Sequence, residues 1–380
     1  MIFRKAIFWL HLCCGVAAGI LVLIMSITGI ALTYQKQMTS WADKRLFKIE
    51  APPGAQPLSA EQLLGKIREA KPGLNGNVTL YSDPGMPASI TVGRDQVTFV
   101  NPYTGEILGP GSSGMRTFFR VMTDWHRWLS LSGEKRPIGR ALTGAGNFLF
   151  LLIVITGTYL WWPKKWTARI FSSLSWFRSG LAGKARDVNW HNVFGFWCII
   201  PLIFIVASGV VISYPWASNL VFKIAGSKAP FQTGPGGRRV GPPEASSQRP
   251  IQIDGLDALM NSVKDRGGEW KTISFQPPTV DDRTASFRVD KGIGGNPQLQ
   301  TTLTLDKASG KIIRYEQFKD MDSGRKARLW LRFVHTGEYY GFLGQTIAGI
   351  ASVAGVILVW TGLALTFRRY ISWIRRKAVA

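Results

Sequence analysis

Histidine and cysteine are scarce in this chain, four and three among 380 residues. Cys13, Cys14 and Cys198 all fall in apolar runs, so the polar segments contain no cysteine and no disulfide framework supports them. Those segments must bury cores of their own. Acids are short as well, 23 Asp+Glu against 46 Lys+Arg, which leaves a net charge of +23. Four stretches, 6–35, 141–162, 188–222 and 339–367, lack charge of either sign. Each exceeds the roughly 20 residues that a helix needs to cross a hydrocarbon core. A single small soluble domain is excluded. A mean hydropathy of +0.06 is the average of apolar spans and polar segments, and the fold class is a membrane α-helical protein with large aqueous parts.

The first run follows Arg4 and Lys5 as a secretory signal would, yet it is far longer than the roughly 7–15 residues of a signal core, so an uncleaved anchor is expected. Four crossings put both termini on one side. Residues 1–5, 163–187 and 368–380 hold 13 basic residues and one acid, Asp187, which marks the cytoplasmic face by the positive-inside rule. The segments 36–137 and 223–338 are more balanced, with 13 basic and 9 acidic residues and 19 and 13, and are expected on the opposite, periplasmic side. Positive charge gathered at membrane flanks finds anionic lipid as its neighbour, so the basic balance calls for no nucleic acid. Trp161, Trp162, Trp166, Trp176, Trp360 and Trp373 near the same boundary read as an interfacial belt.

The chain repeats itself. His11 is followed by Gly15, Thr28-Gly29 and Tyr34 at the intervals at which His191 is followed by Gly195, Ser208-Gly209 and Tyr214. Gly139 precedes Thr156-Gly157 as Gly344 precedes Thr361-Gly362, with His126 and His335 upstream. The polar segments repeat too. QVTFVNPYTGEIL at 96–108 and TTLTLDKASGKIIR at 301–314 each read as strand, turn and strand, after amphipathic stretches at 60–70 and 255–265. Residues 228–250 are a Gly/Pro-rich loop. A four-helix bundle from a tandem duplication is expected, its pseudo-two-fold axis along the membrane normal, with two small outer α+β modules. The segmentation is 6–35, first helix; 36–120, first outer module; 121–162, histidine segment and second helix; and 163–187, basic loop. It continues with 188–222, third helix; 223–327, second outer module; 328–367, histidine segment and fourth helix; and 368–380, tail.

All four histidines lie in or beside spans. Position pairs His11 with His191 at the cytoplasmic ends and His126 with His335 at the outer ends. They read either as hydrogen-bonded packing residues or as metal ligands. Two facing imidazoles at each side of a membrane are what axial ligation of haem b requires, whereas zinc would call for three or four protein ligands. No C-x-x-C-H occurs, so a haem would be held without covalent attachment. Gly15 and Gly195, one turn after a histidine, give room either to a flat macrocycle or to a neighbouring helix. Arg120, Arg127, Arg136, Arg140, Arg328 and Arg332 could pair with haem propionates or with lipid phosphates. Trp125, Trp128, Tyr339 and Tyr340 could line a docking surface or join the belt.

The segments FWLHLCCGVAAGILVLIMSITGIALTY, VTFVNPYTGEIL, DWHRWL and TGTYLWWPKK resemble those of the PepSY-associated transmembrane proteins, the iron-regulated inner-membrane proteins. The resemblance covers essentially the whole chain and, within that family, points to the ferric siderophore (ferrioxamine) reductases. It implies two PepSY-like periplasmic modules on the bundle and an inner-membrane di-haem b oxidoreductase that passes electrons to a periplasmic Fe(III)-siderophore and releases Fe(II). It carries ligand roles to His11, His126, His191 and His335, with two haem b as cofactors, and leaves the catalytic residues unnamed. The partners implied are a ferric siderophore of hydroxamate type, membrane lipid and an external electron donor, whether quinol, flavin or reductase. Two rival functions share the same sequence: a non-enzymatic PepSY anchor or regulator, and a subunit of an iron or siderophore permease. The permease has a poor polar path, with no acid in any charge-free run.

Overall fold

The computed structural model describes residues 2–47, 49–93, 96–229, 250–292 and 294–377. Of the loop expected at 228–250, residues 230–249 lie outside the described residues. Two compact units result, one of 1–35, 119–225 and 327–380, the other of 36–118 and 226–326.

The first unit is built on four apolar helices, α1 (Ile2–Leu32), α5 (Arg136–Trp161), α7 (Gly183–Ser213) and α11 (Gly341–Lys377), each within a segment long and apolar enough to cross a membrane. The protein is a membrane helical protein. α1 packs on α5 and α11, and α7 packs on the same two helices. Small residues allow these approaches: a methyl on Gly146 would lie 3.1 Å from Leu21 Cβ, and one on Gly355 would lie 2.8 Å from Ser26 Oγ. Cys198, Leu202, Ala351 and Ala354 fill the contact of α7 with α11, against Phe150, Phe194 and Leu358.

Helix limits depart from the charge-free runs. The expected span 188–222 breaks where Pro215, which has no N–H, begins α8 (Pro215–Ile224). The run 6–35 likewise ends at Leu32, before α2 (Gln35–Leu46). α7 begins early enough to take in Asp187, an acid 1% exposed that accepts from Arg186 at 2.8 Å and from Arg368 of α11 at 3.3 Å. Two cations compensate the buried carboxylate, which a search for charge-free windows passes over. The histidine segments are helices, α4 (Ser113–Trp128) and α10 (Ser323–His335), joined to α5 and α11 by sharp corners. Leu129 and Ser130 turn the first corner at φ 51° and 59°, and Gly337 turns the second at φ 74°. A short helix, α6 (Ala168–Ser175), packs on α7.

In the second unit α3 (Ala60–Ala70) starts from a capping box between Ser59 and Gln62, and α9 (Leu256–Gly267) is its counterpart. The strands are β1 (Asn77–Tyr81), β2 (Ala88–Val92), β3 (Gln96–Val100), β4 (Ile107–Pro110), β5 (Thr272–Phe275), β6 (Thr284–Asp290), β7 (Gln300–Asp306) and β8 (Ile312–Gln317). They form one antiparallel sheet in the order β4-β3-β2-β1-β5-β6-β7-β8 among the described residues. The sequence suggests two separate modules, but the halves are fused at β1 and β5, where Thr79 faces Ser274 with their hydroxyls 2.9 Å apart. Pairing there removes an edge that each module would otherwise expose. A reciprocal contact marks the duplication: the Glu61 amide donates to Asp257 Oδ1 and the Asp257 amide to Glu61 Oε1, both at 3.0 Å.

β7 alternates buried and half-buried positions, so Thr301, Leu303 and Leu305 face the core. One core cluster joins Leu63 and Ile67 of α3 and Leu259 and Val263 of α9 to Ile90, Ile273, Phe275 and Phe287 of the sheet. Outside it, the buried Asp43 of α2 accepts from the Ser112 amide at 2.8 Å and from Arg116. Phe275, on the strand that joins the halves, is 2% exposed and packs tilted against Phe287 with ring centres 5.2 Å apart. Phe275→Ala is expected to destabilise this unit by about 3–5 kcal/mol. Amide hydrogen exchange should show β1 and β5 losing protection together. Loss in β5 alone would mean that the halves fold separately.

Candidate functional site

In α1 and α7 a histidine and a hydroxyl residue stand 17 positions apart, His11 with Thr28 and His191 with Ser208, a rise of about 25 Å. Each such helix therefore offers an imidazole near one end and a hydroxyl near the other, and α5 and α11 supply Thr156 and Thr361. The fold couples them crosswise. His11 Nδ1 lies 3.0 Å from Thr156 Oγ1, His126 Nδ1 2.9 Å from Thr28 Oγ1, and His191 Nδ1 2.9 Å from Thr361 Oγ1. His335 Nδ1 lies 3.1 Å from Ser208 Oγ and 2.8 Å from the Ile205 carbonyl.

Each hydroxyl proton is already committed. Thr156 donates to Leu152 O at 2.6 Å, Thr28 to Ile24 O at 2.7 Å, Thr361 to Ile357 O at 2.7 Å and Ser208 to Ile205 O at 2.8 Å. The hydroxyl oxygen can then only accept, so Nδ1 must carry the proton and donate it. All four rings are thereby held as the tautomer whose free lone pair is on Nε2, the arrangement in which a histidine ligates a metal while its other nitrogen is anchored.

The glycine after each hydroxyl residue makes room. A methyl on Gly157 would lie 3.1 Å from His11 Cε1, one on Gly362 3.5 Å from His191 Cε1, and one on Gly29 3.6 Å from His126 Cε1. Gly209 instead admits Asn147, whose Nδ2 donates to the Val206 carbonyl at 3.1 Å. Gly15 has nothing within 4 Å of where its Cβ would be, and Gly195 meets only Leu358 at 3.9 Å. Neither glycine serves a close helix contact.

The rings meet in pairs. His11 and His191 have centres 6.5 Å apart, and His126 and His335 have centres 6.4 Å apart. Two imidazoles bound through nitrogen at about 2.0 Å to opposite sides of one metal ion have centres about 6.3 Å apart, so both pairs fit a shared central atom. No group of three or more His, Cys, Asp or Glu suited to a metal occurs among the described residues. Two neutral nitrogen donors fit an ion whose other positions are filled by a macrocycle, as in haem.

The arginines divide. Arg127 and Arg136 lie 4.6 and 3.9 Å from the Trp128 ring centre, Arg328 donates to Ser218 Oγ at 3.1 Å, and Arg332 lies over Phe333 at 5.8 Å. Arg120 and Arg140 are exposed. Trp125 and Tyr340 are exposed, and Tyr340 accepts from Trp330 Nε1 at 3.3 Å, while Tyr339 packs edge-on against Tyr340. Sequence reasoning found the repeated Thr-Gly and Ser-Gly steps but gave the hydroxyls no task. For Thr28 and Ser208 the interval of 17 from a histidine was the signal; Thr156 and Thr361 stand 17 after Gly139 and Gly344 instead.

Thr156→Val, which keeps the shape and removes the acceptor, is expected to release the His11 ring. In ¹⁵N spectra of labelled imidazoles His11 should lose its single Nδ1–H form, and Thr156→Ser should retain it. An unchanged His11 signal in Thr156→Val would refute the tautomer lock.

The family model described as PepSY-associated TM region matches residues 8–369, which takes in all four histidines and all four hydroxyl residues. No curated protein matches the chain. With the match extending over nearly its whole length, the chain belongs to the PepSY-associated TM family.

Proposed function

We propose that this membrane protein is a ferric siderophore reductase of the bacterial inner membrane, with one haem b held by His11 and His191 and another by His126 and His335. The strand-rich unit, in this reading, is a fused pair of PepSY-like modules in the periplasm, and both termini are cytoplasmic. The observation that carries the reading is the matched pair of imidazole pairs, each ring locked in the ligating tautomer.

A haem so held would supply one-electron exchange, and the residues that would hold two of them, about 25 Å of helix apart along α1 and α7, lie toward the two ends of spans that cross an apolar layer about 30 Å thick. The residues of the chain do the rest. The histidines ligate, the hydroxyls orient them and raise their basicity, and the apolar helices keep water from the pairs. Ligand hardness is the reason that reduction would release iron from such a substrate. Hydroxamate oxygens hold Fe(III) far more strongly than Fe(II), so one electron turns a tight chelate such as ferrioxamine into an exchangeable one, with no need for a nucleophile or a proton-abstracting base. The donor is external to the chain.

Purified protein should show sharp Soret and alpha bands on dithionite reduction, with two haems per chain. A colourless preparation from haem-sufficient cells would end the redox reading in favour of an anchor or permease. His11→Ala and His191→Ala are expected to lose the same haem, and His126→Ala and His335→Ala the other. Anaerobic mixing of reduced protein with ferric hydroxamates should reoxidise it, and inert spectra with every chelate tried would remove the siderophore assignment.

A further inference from the structure

Most tryptophans at the ends of the spans behave as an interfacial belt. Trp162, Trp166, Trp176, Trp360 and Trp373 are 46% to 66% exposed. Trp161, the last residue of α5, differs. Its ring lies tilted on Phe196 of α7 at 5.2 Å and meets Trp162 at 6.2 Å and Trp166 at 5.6 Å. Phe196 in turn meets Phe171 of α6 at 5.7 Å and Trp197 at 5.1 Å. The Trp197 indole donates to the Ser175 carbonyl at 2.8 Å, which fastens α6 beside α7 and closes the cage.

Inside this cage the Trp161 indole N–H is buried and meets no acceptor among the described residues. A buried indole N–H ordinarily has one, because leaving a donor unmet costs about 1–3 kcal/mol. The site therefore offers one hydrogen-bond donor among flat apolar rings, and it suits a flat ligand with an acceptor oxygen. Trp162, Trp166, Phe171 and Trp197 are exposed around it, so such a ligand would arrive from the apolar phase. Trp161 is also one helical turn past Gly157, on the same face of α5, and Gly157 is the residue that abuts the His11 ring. A molecule held by Trp161 would thus lie one turn along α5 from the residue that abuts the His11 ring.

We propose that the aromatic cage around Trp161 binds a membrane quinol, the electron donor of the chain, with a quinone or quinol oxygen accepting from Trp161 Nε1. The inference rests on the reductase reading and names its donor. The balance is simple. Each quinol breaks two O–H bonds, releases two protons to water and two electrons, and leaves as quinone. The electrons depart singly, one for each of two ferric ions reduced to ferrous.

The test uses the full chain in nanodiscs of zwitterionic lipid with an azido-benzoquinone photolabel and decylubiquinone as competitor. Label is expected on the C-terminal end of α5 or on α6, displaced by decylubiquinone with a saturable curve. Trp161→Phe, which keeps a ring and deletes the donor, should weaken displacement roughly tenfold. Trp373→Phe, in the belt, should leave it unchanged. Decylubiquinol should reduce ferric chelate more slowly through Trp161→Phe than through the unmodified chain, while dithionite drives both equally. Labelling that does not saturate, or that Trp161→Phe leaves unaltered, overturns the proposal. So does displacement by phosphatidylglycerol as effective as that by the quinone. If dithionite-reduced protein reduces the chelate and quinol neither binds nor reduces, this inference falls and the reductase reading stands. Saturable, Trp161-dependent labelling of a protein that takes up no haem supports the quinone site and removes the reductase reading.

Discussion

The bond from imidazole Nδ1 to a helix hydroxyl is the contact on which the arrangement of the bundle turns. It is made four times, by Thr156, Thr28, Thr361 and Ser208, and in each case the hydroxyl has already given its proton to its own helix. An oxygen that can only accept forces a neutral ring into one tautomer. The same bond fixes which helices are neighbours. His11 ties α1 to α5, His126 ties α4 to α1, His191 ties α7 to α11 and His335 ties α10 to α7. Ring orientation and helix packing are one constraint, so the pairs cannot be moved without repacking the bundle.

Duplication explains why that constraint is met twice. Each half places a histidine and a hydroxyl 17 residues apart on its first helix, and each closes the circuit with its second helix and the short helix before it. Within the halves the couplings are hydroxyl to histidine, and between the halves they are histidine to histidine, at 6.5 and 6.4 Å. The strand-rich unit keeps the same symmetry. β1 pairs with β5, and Glu61 and Asp257 exchange caps at the starts of α3 and α9. A strand edge from each copy is consumed in the junction, so the copies share one core.

Departures from the duplication fall where an element ends. The first half turns from α4 into α5 through Leu129 and Ser130 in the left-handed region, where a side chain is strained, and the second half uses Gly337 at the matching corner, where there is none. Gly139 and Gly344 then accept the returning backbone, since a methyl on either would overlap a carbonyl oxygen, that of Trp128 or of Gly337. Asp187 shows the other kind of departure. It is an acid within a membrane helix, tolerated because Arg186 and Arg368 reach it, and Arg368 binds α11 to α7 at the end near His191.

The membrane class, the four spans, the tandem repeat, the hairpins and the four histidines with their pairing are all legible along the chain. Each rests on a pattern local in the chain: a run without charge, a fixed interval, an alternation of two. The helix break at Pro215 was also legible, and the lack of charge on both sides of it masked it. The rest depends on which elements meet in space. The partner of His11 is 145 residues away and that of His191 is 170 away, and no spacing along one helix says which hydroxyl a ring will meet. The fusion of two modules into one sheet has the same cause, since strand edges are satisfied by whatever strand is near in space. So has the difference between Trp161 and Trp162, adjacent in sequence, one with its indole N–H enclosed and the other facing outward, because burial is set by the neighbours that folding brings.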